Sequence, residues 1–132
     1  MTLINPLHEI QESDKPHVGG KCLALSRMAH RGMKVPTAAA VRAEAYNQYI
    51  SLTGLRDRIL IEINRKNFKD MRWEEIWDTS LRIRNLFLNN PIPDMLYDSL
   101  RHPLKALFSD TAVVVRSSAL EEDTAAASFA GL

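Results

Sequence analysis

The stretch Thr111-Ala112-Val113-Val114-Val115-Arg116-Ser117-Ser118-Ala119 restricts the fold more than any other part of the chain. An apolar, β-branched run bounded by polar residues predicts a buried strand, so there must be a sheet for it to enter. Open α/β sheets keep their ligands at the carboxyl ends of their strands. This strand would deliver Arg116, Ser117 and Ser118 at that end. A guanidinium presents a rigid fork of donors that fits phosphate oxygens, and small residues after it let the backbone approach closely. The run therefore reads as a candidate phosphate grip. It reads equally as an ordinary exit from a sheet, with Arg116 paired to a nearby carboxylate.

A second element lies near the other end. Val18-Gly19-Gly20-Lys21 leads into Cys22, Leu25, Met28 or Ala29, and Gly32 at helical spacing, which predicts a helix from about Lys21 to Gly32. The open N–H groups and positive dipole end of a helix start favour an anion, and the Lys21 ammonium adds a mobile charge. A flexible glycine turn with a solvated lysine is the other reading. The full pattern of a P-loop is missing, so a P-loop ATPase fits poorly.

Between these ends the pattern is mainly helical. Leu3-Ile4 and Leu7 to Ile10 predict two short strands around Pro6, and Thr37 to Val41 suits a third, although its alanines also tolerate helix. Arg42 to Leu52 predicts a helix with Ala45, Tyr46, Tyr49 and Ile50 inward and Gly54 as its stop. Leu55 to Asn67 predicts another, its charges forming a solvated face. Asp70 is placed to cap the next helix, where Trp73, Ile76, Ser80, Ile83 and Phe87 recur at alternating three and four, flanked by Trp77, Leu81 and Leu88. That stripe predicts packing against other helices or the sheet, and Asn89-Asn90-Pro91 ends it. A last helix follows Pro93-Asp94 and is expected to be interrupted at His102-Pro103. The class is α/β, helix-rich with a small sheet, in one domain over 1–132.

Charge and cysteine usage exclude several roles. A net charge of +1, with basic residues spread among acidic ones, leaves no electrostatic footprint for nucleic acid or an anionic membrane. One cysteine, Cys22, excludes an intramolecular disulfide, and the four histidines lack ligand spacing, so no metal site is expected. The N-terminus lacks a signal-peptide pattern and no apolar stretch suits a spanning helix, so a cytoplasmic setting is the default.

Taken in order and separation, Val18-Gly19-Gly20-Lys21 and Val115-Arg116-Ser117-Ser118-Ala119, with Glu122-Asp123 and Ala127-Ser128-Phe129-Ala130-Gly131, carry a resemblance. So do Gly32 with Val35-Pro36, Glu44-Ala45-Tyr46 and Ile92-Pro93. The chain resembles the N-terminal ATP-binding (ATP-grasp type) region of the phosphoenolpyruvate synthase, pyruvate phosphate dikinase and rifampin phosphotransferase family, over essentially its whole length. The resemblance implies that Lys21 and Arg116 contact ATP phosphates and that Gly131 sits in a loop covering the nucleotide. Ser117 and Ser118 are further candidates, although their hydroxyls can instead satisfy local backbone groups. Glu121, Glu122 and Asp123 would order the loop rather than bind ATP, unless Mg²⁺ intervened.

The chain departs from the family in three places: Cys22 follows the glycines and lysine where Gly or Ala is usual, Pro36-Thr37-Ala38-Ala39 replaces Pro-Pro-Gly-Phe, and the segment before Arg116, containing Pro103, is abbreviated. The resemblance further implies that the remaining ATP ligands and the Mg²⁺ carboxylates lie in a second half of the domain, and that a histidine on another domain takes the phosphoryl group. Residues 1–132 are thus expected to be the N-terminal piece of a longer enzyme, ending in the cover loop and inactive alone. Its acceptor would be pyruvate or another small molecule. A nucleotide-binding module without catalysis, or a helical assembly module using the Trp73 to Phe87 stripe, remain alternatives. A strand and loop left without neighbours would also predict either self-association or mobility after Arg116.

Overall fold

A computed structural model of the chain describes residues 2–120. Its elements are β1 (Ile4–Pro6), α1 (Lys15–His30), β2 (Ala39–Val41), α2 (Ala43–Leu52), α3 (Leu55–Ile63), α4 (Trp73–Leu88) and α5 (Asp94–Phe108), with short 3₁₀ turns at Leu7–Glu9, Glu12–Asp14 and Phe68–Asp70. The helix-rich α/β class with a small sheet is borne out. The chain divides into two units, one holding the residues up to Tyr46 and those from Tyr97 onward, the other Asn47–Leu96. No helix among the described residues is long and apolar enough to cross a membrane.

The first unit is built on β1 and β2, which pair antiparallel with Ile4 opposite Val41 and Pro6 opposite Ala39. Proline has no N–H to give a ladder, and its place at the end of an edge strand costs no bond. Leu7 to Ile10 is not a second strand. Leu7 turns into a 3₁₀ segment, and its N–H donates to the Ala38 carbonyl at 2.9 Å. Leu7, Ile10, Val18, Leu23 and Ala40 bury together, with Cys22, Leu25 and Ala29 of α1 packed against them. Inside this core the Ser26 hydroxyl donates to the Ile10 carbonyl at 2.7 Å, leaving neither polar group unpaired. Gly32 closes α1 in a left-handed conformation (φ 77°), and the Met33 N–H returns to the Met28 carbonyl.

Two expectations fail outside the core. The run from Thr111 forms no strand among the described residues, and Val114 and Val115 are 84% and 90% exposed. It pairs with neither β1 nor β2, the two strands of the described sheet. Pro103 does not interrupt α5, which runs through it to Phe108. Leu96, Leu100, Pro103, Leu104, Leu107 and Phe108 form one buried or half-buried face across that position, and this continuous stripe outweighs the local cost of the missing N–H.

The second unit packs α3 against α4 and buries Ile50, Leu55 and Leu96. Tyr49 stacks on Phe87 with ring centroids 5.9 Å apart, and its hydroxyl donates to the Asn90 carbonyl at 2.6 Å. Tyr46, expected beside it, is exposed, because the inward line of α2 follows Ala45 and Tyr49 at four-residue spacing. Asp70 does not cap α4. It closes the 3₁₀ turn begun by Asn67, and α4 starts after Arg72, whose N–H donates to Glu75 Oε2 at 2.8 Å. The stripe of α4 is also only partly inward. Ile76, Ile83 and Phe87 are half-buried, whereas Trp73 and Trp77 are 72% and 67% exposed.

Glu62 is not part of a solvated face. Arg82 of α4 donates to it at 2.8 Å and Arg65 at 2.9 Å, and the Arg82 bond, followed by the charges of Arg65 and Arg82, holds the carboxyl below its ordinary value. A carboxylate with a lowered folded-state pKa adds stability above its unfolded pKa and loses it as pH falls through the folded value. Thermal stability is accordingly expected to fall as pH drops below about 4.5, the ordinary value, and Glu62→Gln should flatten part of that fall. Melting curves between about pH 3 and 6 check this. An equal acid slope in the variant would count against the assignment.

Candidate functional site

The site starts from Val18, which is 1% exposed and anchored in the first unit's core. Gly19 follows with φ 77° and ψ 170°, a backbone region open essentially to glycine alone. The expected helix start near Lys21 is therefore real in substance. α1 begins earlier, at Lys15, but the non-helical Gly19 divides it, so that the turns carrying Lys21 have a start of their own. Lys21 is exposed, and Cys22 turns inward onto the core. Burial pushes the Cys22 thiol up, which disfavours its thiolate form.

Against this break lies the far end of the chain. The Ser118 hydroxyl donates to the Val18 carbonyl at 2.6 Å, bridging one hundred positions of sequence. A Cβ placed on Gly19 would meet Ser118 Oγ at 3.0 Å and the Ala119 carbonyl oxygen at 3.3 Å. The two motifs singled out in the sequence therefore touch. Lys21 and Arg116 each stand two residues from the contact, within roughly 7–8 Å of it along the backbone. Lys21 and Arg116 are both exposed residues. A basic pair beside a glycine backbone and a helix start favours an anion such as phosphate.

A group of charges overlooked in the sequence braces the entry to the break. His17 Nδ1 contacts Glu44 Oε1, and Arg42 reaches both Glu44 Oε2 and Asp14 Oδ1 at 3.4 Å. Burial raises the Glu44 carboxyl, but its own backbone N–H, Arg42 and His17 together bring it below the usual range. The Gln11 N–H and then Arg42 do the same for Asp14. The only sequence signal was Glu44 in the Glu44-Ala45-Tyr46 fragment. Gly131, Glu121, Glu122 and Asp123 lie outside the described residues. Among the described residues no three His, Cys, Asp or Glu side chains gather as a metal site.

Residues 15–132 match the family described as "Pyruvate phosphate dikinase, AMP/ATP-binding domain". The chain belongs to that family. Its relatives include a probable phosphoenolpyruvate synthase from Staphylothermus marinus, 34% identical over 132 residues, covering 95% of this chain and 16% of that protein. A phosphoenolpyruvate synthase from Pseudomonas aeruginosa matches at 34%, with 95% and 16% covered. A rifampicin phosphotransferase from Streptomyces sviceus matches at 35%, with 95% and 14% covered. The chain thus spans about 16% of the length of the first of these curated relatives. Within the AMP/ATP-binding domain, the Gly19–Ser118 contact supplies a physical reason for the two motifs to occur together.

Proposed function

We propose that this chain is the nucleotide-gripping portion of an ATP-dependent, dikinase-type phosphotransferase of the phosphoenolpyruvate synthase kind. The observation that supports the reading is the contact of Ser118 and Ala119 with Val18 and Gly19, which lie two residues from Arg116 and Lys21 in the sequence. Lys21 supplies an ammonium and Arg116 a planar fork, and together they neutralise charge on transferring phosphates. Ser117 is a further candidate ligand, and Gly131 a candidate for a covering loop. The ATP-grasp arrangement, the cytoplasmic setting and a role of residues 1–132 as an N-terminal subdomain belong to the same proposal.

The described residues do not fit Mg²⁺. That ion takes an octahedral set of oxygens, and the carboxylates nearest the break are already engaged by Arg42 and His17. Any metal ligands would come from elsewhere in the polypeptide. The phosphoryl-accepting histidine would likewise come from elsewhere. A rifampicin phosphotransferase among the relatives supports a second reading of the acceptor, a small molecule other than pyruvate. The exposed Val114 and Val115 favour self-association of the isolated piece.

The test is ³¹P NMR of ATP and Mg²⁺ with the longest polypeptide encoded by the reading frame, with and without pyruvate. AMP, inorganic phosphate and the phosphorylated acceptor are the expected products, and a dependence on pyruvate would name the acceptor. ADP as the sole nucleotide product would sink the dikinase reading. AMP formation indifferent to pyruvate would move the acceptor to the second reading.

A further inference from the structure

Resting on the phosphate-grip reading, we propose that Ser118 is a positioning residue, a clasp that fixes the Arg116 segment to the Gly19 break, and not itself a ligand of the nucleotide. A serine hydroxyl has one proton to give, and here it goes to the Val18 carbonyl at 2.6 Å. While that bond stands, Ser118 cannot donate to a phosphate oxygen. The acceptor is firmly held, because Val18 is 1% exposed and packs with Leu7, Ile10, Leu23 and Ala40. Gly19 completes the clasp by having no side chain to push Ser118 and Ala119 away.

The clasp matters because burial among the described residues does little to hold the segment that bears Arg116. Val113, Val114 and Val115 are 54%, 84% and 90% exposed, and no described strand pairs with them. A cation on such a segment neutralises phosphate well only if its backbone is already placed when the nucleotide arrives. Ser118 lies two residues beyond Arg116 and joins that backbone to the element bearing Lys21. The two cations then act as one preorganised pair. Opening the clasp changes no charge and removes no ligand that this reading assigns, yet lets the pair separate.

The experiment compares the longest encoded polypeptide with its Ser118→Ala, Ser118→Thr and Arg116→Ala variants, by ATP turnover and by amide exchange of residues 111–120 without nucleotide. Ser118→Ala is expected to speed exchange of that segment in the nucleotide-free protein, and to lower kcat/KM for ATP by roughly 10–100-fold. Ser118→Thr keeps a hydroxyl and should recover most of both. A fall in ATP affinity in Ser118→Ala with unchanged exchange in the free protein would make Ser118 a ligand and overturn the clasp. Wild-type behaviour of Ser118→Ala in both readouts, or equal damage from threonine and alanine, would also overturn it. If Arg116→Ala turns over ATP as the wild type does, the phosphate-grip reading itself fails and the clasp falls with it. Loss in Arg116→Ala beside an unaffected Ser118→Ala removes the clasp alone.

Discussion

Replacing Arg116 with alanine in the longest encoded polypeptide is expected to cut kcat for AMP formation by on the order of 10²–10³, the usual loss when one preorganised donor to a charge-developing oxygen is removed. The guanidinium ends an exposed run and Arg116 is itself exposed, so its loss should leave the melting temperature nearly unchanged. Arg116→Lys should recover little, because a single ammonium cannot reproduce a two-pronged contact with phosphate. Lys21→Ala should also be impaired, and the two losses should not add, since the residues would act on one triphosphate. Steady-state kinetics with a melting curve for each variant checks all three statements. An Arg116→Ala enzyme within a factor of two of wild type would return the run to its plainer reading as a chain exit.

The parts of this fold legible in the sequence are those where local and tertiary preferences agree. α2 and α4 lie where their apolar spacing put them, α3 starts at Leu55 as expected but ends at Ile63 rather than Asn67, and Asn89-Asn90 ends α4 through side-chain bonds to the Asn85 and Leu86 carbonyls. The misreadings share one cause, which is that spacing marks a face as apolar without saying what covers it. Val113 to Val115 have a strand's composition but no described neighbour, and Trp73 and Trp77 share a stripe with Phe87 but are left largely exposed. Pro103 erred the other way. A rule about one missing N–H was outweighed by a face running from Leu96 to Phe108, which only the assembled helix displays.

The site was legible as two motifs but not as one contact. Lys21 and Arg116 stand out by their chemistry, and nothing in either segment states that Ser118 reaches Val18. Gly-Gly before a lysine also fits a flexible turn. What separates the two glycines is conformation, because only Gly19 has a positive φ and Ser118 at its back. The brace of Asp14, His17, Arg42 and Glu44 was missed because its members are spread along the chain, and each alone looks like an ordinary surface charge.

Gly19→Ala should therefore be the most damaging substitution of a single methyl group in the first unit. At φ 77° and ψ 170° any L side chain is strained, at a cost of about 1–3 kcal/mol. The added methyl would also meet Ser118 Oγ at 3.0 Å and the Ala119 carbonyl at 3.3 Å, and the carbonyl, being backbone, has little freedom to give way. Gly32 provides the internal comparison, since it has the same φ of 77° but nothing within 4 Å of its missing Cβ. Gly32→Ala should suffer conformational strain alone, and its ATP kinetics should stay near wild type. Gly19→Ala carries the strain of its own φ 77° and ψ 170° and also presses the Arg116 segment off its seat, so stability and kcat/KM should fall together. Melting curves and ATP kinetics on the two variants separate the effects. If Gly19→Ala were no worse than Gly32→Ala in either measurement, the close approach of Ser118 and Ala119 would have no energetic weight, and Lys21 and Arg116 would need another reason to act as a pair.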